Sequence, residues 1–235
     1  MAGTFSERLD EIKRRIGAAC EKAGRDPDGV RIMAASKTQP PEKIREAADC
    51  GIKLFGENRV QEGRQKIPLS PSNLEWHMIG HLQTNKAREA VRLFKMIHSV
   101  DSAKLLAAVD AAGEQTGRLT PVFLEINVSG EGSKFGLAPE NVPEVLKLAN
   151  DLKRVEIKGL MTMPPAAEDP ETARPFFRRL RELRDQWRDR SGFSLDELSM
   201  GMSHDFEVAV EEGATIVRLG TILFGERQKQ ANTED

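Results

Sequence analysis

What this chain lacks narrows what it can be. Among its 235 residues there is no tyrosine, and aromatic residues make up only 5%. No phenol is therefore available as an acid or a base. The two cysteines, Cys20 and Cys50, sit in helical patterns with no CxxC pair and no His/Cys cluster nearby, which excludes a disulfide framework and a zinc site. Buried thiols in a reducing compartment are the expectation. Charge of one sign is missing too: 35 basic residues against 37 acidic ones leave a formal net charge of -2. No positive field points to nucleic acid or to an anionic membrane, so small-molecule partners come forward. No apolar run approaches the length of a membrane span, and the opening MAGTFSERLDEIKRRIG is charged throughout, without the apolar core of a signal peptide. A cytoplasmic protein is expected.

What is present is an alternation of short apolar runs and longer segments of helical period. The runs VRIMAAS, KLFGEN, EWHMIG, MIHSV, PVFLEINV, VEIKGLM, LDELSM and TIVRLG read as strands. Between them lie helical patterns such as PEKIREAADCG, SAKLLAAVDAAGEQ and the long TARPFFRRLRELRDQWRDR, and an extra helix, FSERLDEIKRRIGAACEKAG, precedes the first strand. Strands that each precede a helix predict a closed parallel barrel of the (β/α)₈ TIM type, with a doubly wound open sheet as the alternative. The absence of a dinucleotide fingerprint after the first strand weighs against the open sheet. No Gly/Ser/Pro-rich linker divides the chain, so residues 1–235 are expected to form one domain.

In such a barrel the active site is built at the carboxyl ends of the strands. Lys37, Asn58, Gly80, His81, Ser99, Asp101, Asn127, Thr162, Ser203, Gly220 and Thr221 fall there. A lysine inside a walled cavity is a nucleophile suited to aldehydes and ketones, and the alternative for Lys37 is a rim charge paired with Glu57 or Asp101. In SMGMSHDFEVAVEEG, Ser203 is placed to cap a helix whose first turn holds Asp205 and Glu207, and VRLGTILFG follows with Gly220 and Thr221. Loops after strands seven and eight commonly hold phosphate in barrels, although a capping serine and a packing glycine have plain structural uses as well. Asn58 is equally suited to capping the helix that begins at Arg59. His77 and His81 are four apart, but Gly80 between them argues against the helix that would join them as metal ligands. The environments of His98 and His204 are left open. Lys134, in GEGSKFG, is either a solvated loop lysine or a basic gate at the mouth.

MAASKTQP, FGENRVQE, WHMIGHLQTNK, INVSGEGSKFGL and SMGMSHDFEVAVEEGATIVRLGTILFG together resemble the pyridoxal phosphate homeostasis proteins, single barrels similar to the N-terminal barrel of alanine racemases. The resemblance spans nearly the whole chain. It implies pyridoxal 5'-phosphate (PLP) held as an internal aldimine on Lys37. It further implies that Ser203, Gly220 and Thr221 hold the phosphate, that Arg218 faces the pyridine nitrogen, and that Asn58 and His81 line the ring pocket. Related racemases set a tyrosine opposite their lysine, supplied by a second domain and a partner subunit; this chain has no tyrosine. An arginine beside the ring nitrogen also leaves the ring a poorer electron sink.

The expected role is thus vitamin B6 homeostasis, with PLP buffered or delivered to PLP-requiring apo-enzymes and no efficient turnover. A PLP-dependent racemase is one rival. A protein-interaction module with PLP as structural ligand is the other, for which the charged FFRRLRELRDQWRDR is the available surface. No exposed apolar stripe in the pattern calls for a dimer, so a monomer is expected.

Overall fold

A computed structural model describes residues 3–132 and 135–225. Eight parallel strands form a closed barrel in chain order: β1 Arg31–Ala35, β2 Leu54–Glu57, β3 Glu75–Met78, β4 Met96–Val100, β5 Thr120–Glu125, β6 Val155–Met161, β7 Glu197–Ser199 and β8 Ile216–Leu219. β1 pairs with both β2 and β8, aligning Met33 with Leu54 on one side and with Arg218 on the other. That closure rules out the open doubly wound sheet. All eight expected strands are present. Around them stand α1 Phe5–Lys22, α2 Pro41–Asp49, α3 Val60–Lys66, α4 Ala87–Leu93, α5 Ala103–Thr116, α6 Val142–Ala149, α7 Arg174–Ser191, α8 Phe206–Glu211 and α9 Thr221–Phe224.

Alternation along each strand divides the core in two. Met33, Leu54, Ile79, Met96, Phe123, Met161 and Ile216 fill the barrel interior, while Ala34, Phe55, Met78, Ile97, Leu124 and Val217 face the helices. The same parity carries past the strand ends. On β1 the inward positions run Met33, Ala35, Lys37, and on β8 they run Ile216, Arg218, Gly220. Glycine is required where the interior narrows: a Cβ on Gly56 would lie 2.7 Å from Met33 Sδ and 2.8 Å from Ile79 Cδ1.

The extra helix α1 braces the part of the barrel that carries the last two loops. It starts with a capping box, in which the Glu7 amide donates to Thr4 Oγ1 and the Thr4 amide donates to Glu7 Oε2. Arg8 Nε donates to the Leu223 carbonyl at 2.8 Å, Arg15 pairs with Glu207, and Phe5 packs on Phe224 with ring centroids 5.7 Å apart. The segment considered as an interaction surface, α7, has a different use. Its Phe177, Leu180, Leu183 and Trp187 are buried, and Arg174, Arg178 and Arg181 converge on Glu212, itself only 4% exposed.

Candidate active site at the carboxyl ends of the strands

One cavity of about 520 Å³ opens at the carboxyl ends of the strands. Lys37, Asn58, His81, Ser203, Arg218, Gly220 and Thr221 all line it, with Gly80, Phe135, Met163, Met202 and His204. The seven residues expected to contact the ligand thus meet in one cavity, whereas Ser99, Asp101, Asn127 and Thr162 do not line it. Lys134 lies outside the described residues.

Lys37 sits at the cavity wall and is exposed, not desolvated as a fully walled site would require. It forms no ion pair with Glu57 or Asp101, because both are taken. The Lys66 ammonium, buried beneath Lys37, donates to Glu57 Oε1 at 2.8 Å, to the Ser36 carbonyl at 2.8 Å and to Glu62 Oε2 at 3.0 Å. Ser36 Oγ donates to the same Glu57 oxygen at 2.7 Å, and the Thr38 amide donates to Glu62 Oε2 at 3.0 Å. Thr38 has φ 63°, a left-handed conformation that costs a β-branched residue about 1–2 kcal/mol. The buried cluster thus pins a strained turn with Lys37 at its centre. Burial pushes the Glu57 carboxyl up, and the hydrogen bond and charge of Lys66 pull it back. None of this was recognised from sequence, although Glu62 and Lys66 stand at the i,i+4 spacing of a helical ion pair.

On the opposite wall, Ser203 is not the cap of α8. Asp205 holds that position, its carboxylate accepting from the Met202 amide at 2.6 Å, and Ser203 belongs to the turn before it. Ser203 Oγ instead accepts from the amides of Gly220 and Ile222, both at 3.3 Å, at the start of α9. Those amides, the Thr221 hydroxyl and the Ser203 hydroxyl make a cluster of hydrogen-bond groups suited to an anion. A Cβ on Gly220 would lie 3.4 Å from the Ala35 carbonyl, an ordinary contact, so packing against β1 does not demand a glycine here.

Arg218 is 4% exposed at the cavity floor and donates to Ser199 Oγ at 2.7 Å and to the Thr162 carbonyl at 2.9 Å. Burial lowers its guanidinium to about 10, with Glu125 and Asp205 opposing, so it is charged at neutral pH. His81 Nδ1 lies 3.0 Å from Asp101 Oδ2, and its ring stacks on Phe135 at a centroid distance of 3.8 Å. Asn58 caps no helix: α3 has Arg59 at its N-cap and no side-chain cap bond. Gly80 packs against the Asn58 backbone, where a Cβ would fall 2.3 Å from the Asn58 carbonyl oxygen. His204 Nε2 lies 2.7 Å from the Glu168 carbonyl oxygen. Among the described residues no group of His, Cys, Asp or Glu is placed to hold a metal ion, and no helix is long and apolar enough to cross a membrane. Cys20 is buried, Cys50 half-buried, and both are free.

Glu125, 3% exposed, is pushed up to about 7 by burial first and by Asp101 second, against the pull of Arg218. A carboxyl raised from the ordinary range near 4.3 holds its proton in the folded state across a window in which the unfolded chain has lost it. Stability therefore falls as pH rises from about 4.3 to about 7, by roughly 2–4 kcal/mol in all. Glu125→Gln, neutral throughout, should gain thermal stability over wild type between pH 5 and about pH 7 and level off above it; a melting-temperature difference independent of pH would show that Glu125 is ionised in the fold.

The family profile described as "Alanine racemase, N-terminal domain" matches residues 8–228, which sets the barrel and its cavity among the proteins of that domain family. A pyridoxal phosphate homeostasis protein of Aquifex aeolicus is 49% identical over 223 residues, covering 94% of this chain and 98% of that one. The chain belongs to the pyridoxal phosphate homeostasis protein family. The PipY protein of Synechococcus elongatus, solved with PLP bound, superposes with a TM-score of 0.83 at 36% identity, covering 94% of this chain and all of PipY. An alanine racemase of Clostridium difficile shares the fold at 15% identity and TM-score 0.73, and this chain covers only 58% of it.

Proposed function

We propose that this chain is a single-domain PLP-binding protein of vitamin B6 homeostasis, holding the cofactor covalently through Lys37 and buffering or delivering it to PLP-requiring apo-enzymes. The observation that carries this reading is one cavity with three chemistries at suitable places: a primary amine without a partner among the described residues, an amide and hydroxyl cluster, and a buried guanidinium. The residues fit the group. Lys37 supplies the nucleophile for the aldehyde as a Schiff base, Ser203, Gly220 and Thr221 donate to the phosphate, Arg218 faces the ring nitrogen, and Asn58 and His81 border the ring. When bound, the cofactor would supply a reactive aldehyde and an electron-withdrawing ring. The family's name for its members, homeostasis protein and not racemase, supports a carrier without efficient turnover.

Borohydride reduction in the presence of PLP, followed by peptide mass analysis, should place the pyridoxyl group on Lys37. An adduct on Lys66 or Lys86 instead would remove the central assignment. The phosphate subsite has its own test. Thr221→Ala deletes a hydroxyl beside a dianion, a bond worth about 1.5–3 kcal/mol, or roughly one to two decades of affinity for PLP. Affinity for pyridoxal, which has no phosphate, should hardly change; equal weakening of both ligands would show that Thr221 acts elsewhere.

A further inference from the structure

Behind Arg218 a line of polar side chains runs through the apolar barrel interior to its opposite, amino-terminal end. Ser199 Oγ lies 2.7 Å from Arg218 Nη1 and 3.0 Å from His98 Nδ1. His98 Nε2 lies 2.8 Å from His77 Nδ1, and His77 Nε2 lies 2.7 Å from Glu75 Oε1. Ser199, His98 and His77 are all 0% exposed, whereas the Glu75 side chain is 41% exposed. Four strands contribute: β3 provides Glu75 and His77, β4 His98, β7 Ser199 and β8 Arg218. Nothing in the binding of a small ligand at the far end demands two buried histidines here.

The two ends of the line settle its internal protons. A guanidinium has only donors, so Arg218 must donate to Ser199 Oγ. The serine's single hydrogen is then free for His98 Nδ1, which has to accept. Burial first, and the nearby charges of Arg218 and Arg31, hold His98 well below its usual range, so the ring is neutral and its hydrogen is on Nε2. It donates to His77 Nδ1. That leaves the hydrogen of His77 on Nε2, pointing at Glu75, whose carboxylate is held below its usual range by this same hydrogen bond. Every bond in the line thus points the same way, from Arg218 outward. Charged groups also facing it are Arg31 and Glu197, which pair with each other at the amino-terminal mouth.

We propose that Ser199, His98 and His77 are positioning residues that hold both imidazoles in the neutral Nε2–H form and thereby fix Arg218 as a donor toward the ring nitrogen of the ligand. A rotation of Arg218 would leave the Ser199 oxygen without its donor in a site closed to bulk solvent. The proposal rests on the PLP reading for the identity of the ligand, while the proton arrangement belongs to the ligand-free protein.

Two measurements separate these layers. Long-range proton–nitrogen NMR of the ligand-free protein, assigned through His77→Gln and His98→Gln, should report both histidines as neutral with Nδ1 unprotonated. An imidazolium or an Nδ1–H form at either residue near neutral pH would overturn the arrangement. The second compares binding of PLP with its carbocyclic analogue, in which CH replaces the ring nitrogen. Ser199→Ala should narrow the preference for PLP by roughly three- to tenfold, since Arg218 keeps only its bond to Thr162, and Ser199→Thr, which retains a hydroxyl, should restore it. A merely destabilised barrel would weaken both ligands alike and leave the preference unchanged, and that result would overturn the positioning role. Wild type binding both equally would remove Arg218 from the ring nitrogen, and wild type binding neither would overturn the PLP reading itself.

Discussion

Lys66→Met is expected to cost about 3–5 kcal/mol of folding stability, the usual loss when one partner of a buried ion pair is removed and the other is left behind. Glu57, 0% exposed, already has Oε2 without a hydrogen-bond partner and depends on Lys66 and Ser36 at Oε1. Methionine matches the lysine stem but leaves Glu57 either charged in an apolar pocket or protonated at a cost. Chemical denaturation at pH 7 measures the loss. Adding Glu57→Gln to Lys66→Met removes the stranded charge and should recover a large part of it. No recovery in the double variant would mean that Lys66 acts by packing. The same substitution loosens the Ser36–Thr38 turn, so adduct formation at Lys37 should slow in the double variant even where the fold is restored.

The second large effect concerns chemistry that should be missing. With PLP bound, exchange of the α-proton of L-alanine for deuterium is expected to run at least a thousandfold below the median enzyme turnover of about ten per second. Two-base chemistry at an α-carbon needs an acid and a base on opposite faces, and the chain has no tyrosine to set against Lys37. His81, bonded to Asp101 and stacked on Phe135, is committed to the cavity wall. Arg218 contributes as well, because a guanidinium that keeps its charge up to about pH 10 opposes protonation of a neighbouring ring nitrogen. Proton NMR with stoichiometric protein follows the exchange directly. Exchange by wild type within seconds would establish a true enzyme; exchange confined to Arg218→Glu would show that the arginine holds the chemistry back.

For a carrier, the arrangement has a physical logic. On the proposed reading, a nucleophile, an anion cradle and a ring-nitrogen donor suffice to bind PLP and let it go, the first two at the cavity wall and Arg218 at its floor. The strained turn at Thr38 and the α1 brace on α8 and α9 hold two of those parts in place. The buried line from Arg218 to Glu75 serves the third.

Much of this was legible in the residue order, because it depends on local period. The eight strands follow from short apolar runs, and their inward parity places Lys37 two residues beyond Ala35 and Gly220 two beyond Arg218 on the cavity side. The cap of α8 was misplaced by two residues, since Ser203 and Asp205 are both good caps and only the turn geometry chooses between them. What the sequence by itself determined, then, is the barrel and which residues line the cavity at the carboxyl ends of its strands. Tertiary structure alone decided which charges and imidazoles meet inside it. His98 and Ser199 are 101 residues apart, and Ser36 and Lys66 are 30 apart on different elements. Their contacts depend on closure of the sheet and on the stagger between strands, and neither property leaves a periodic trace in any one segment.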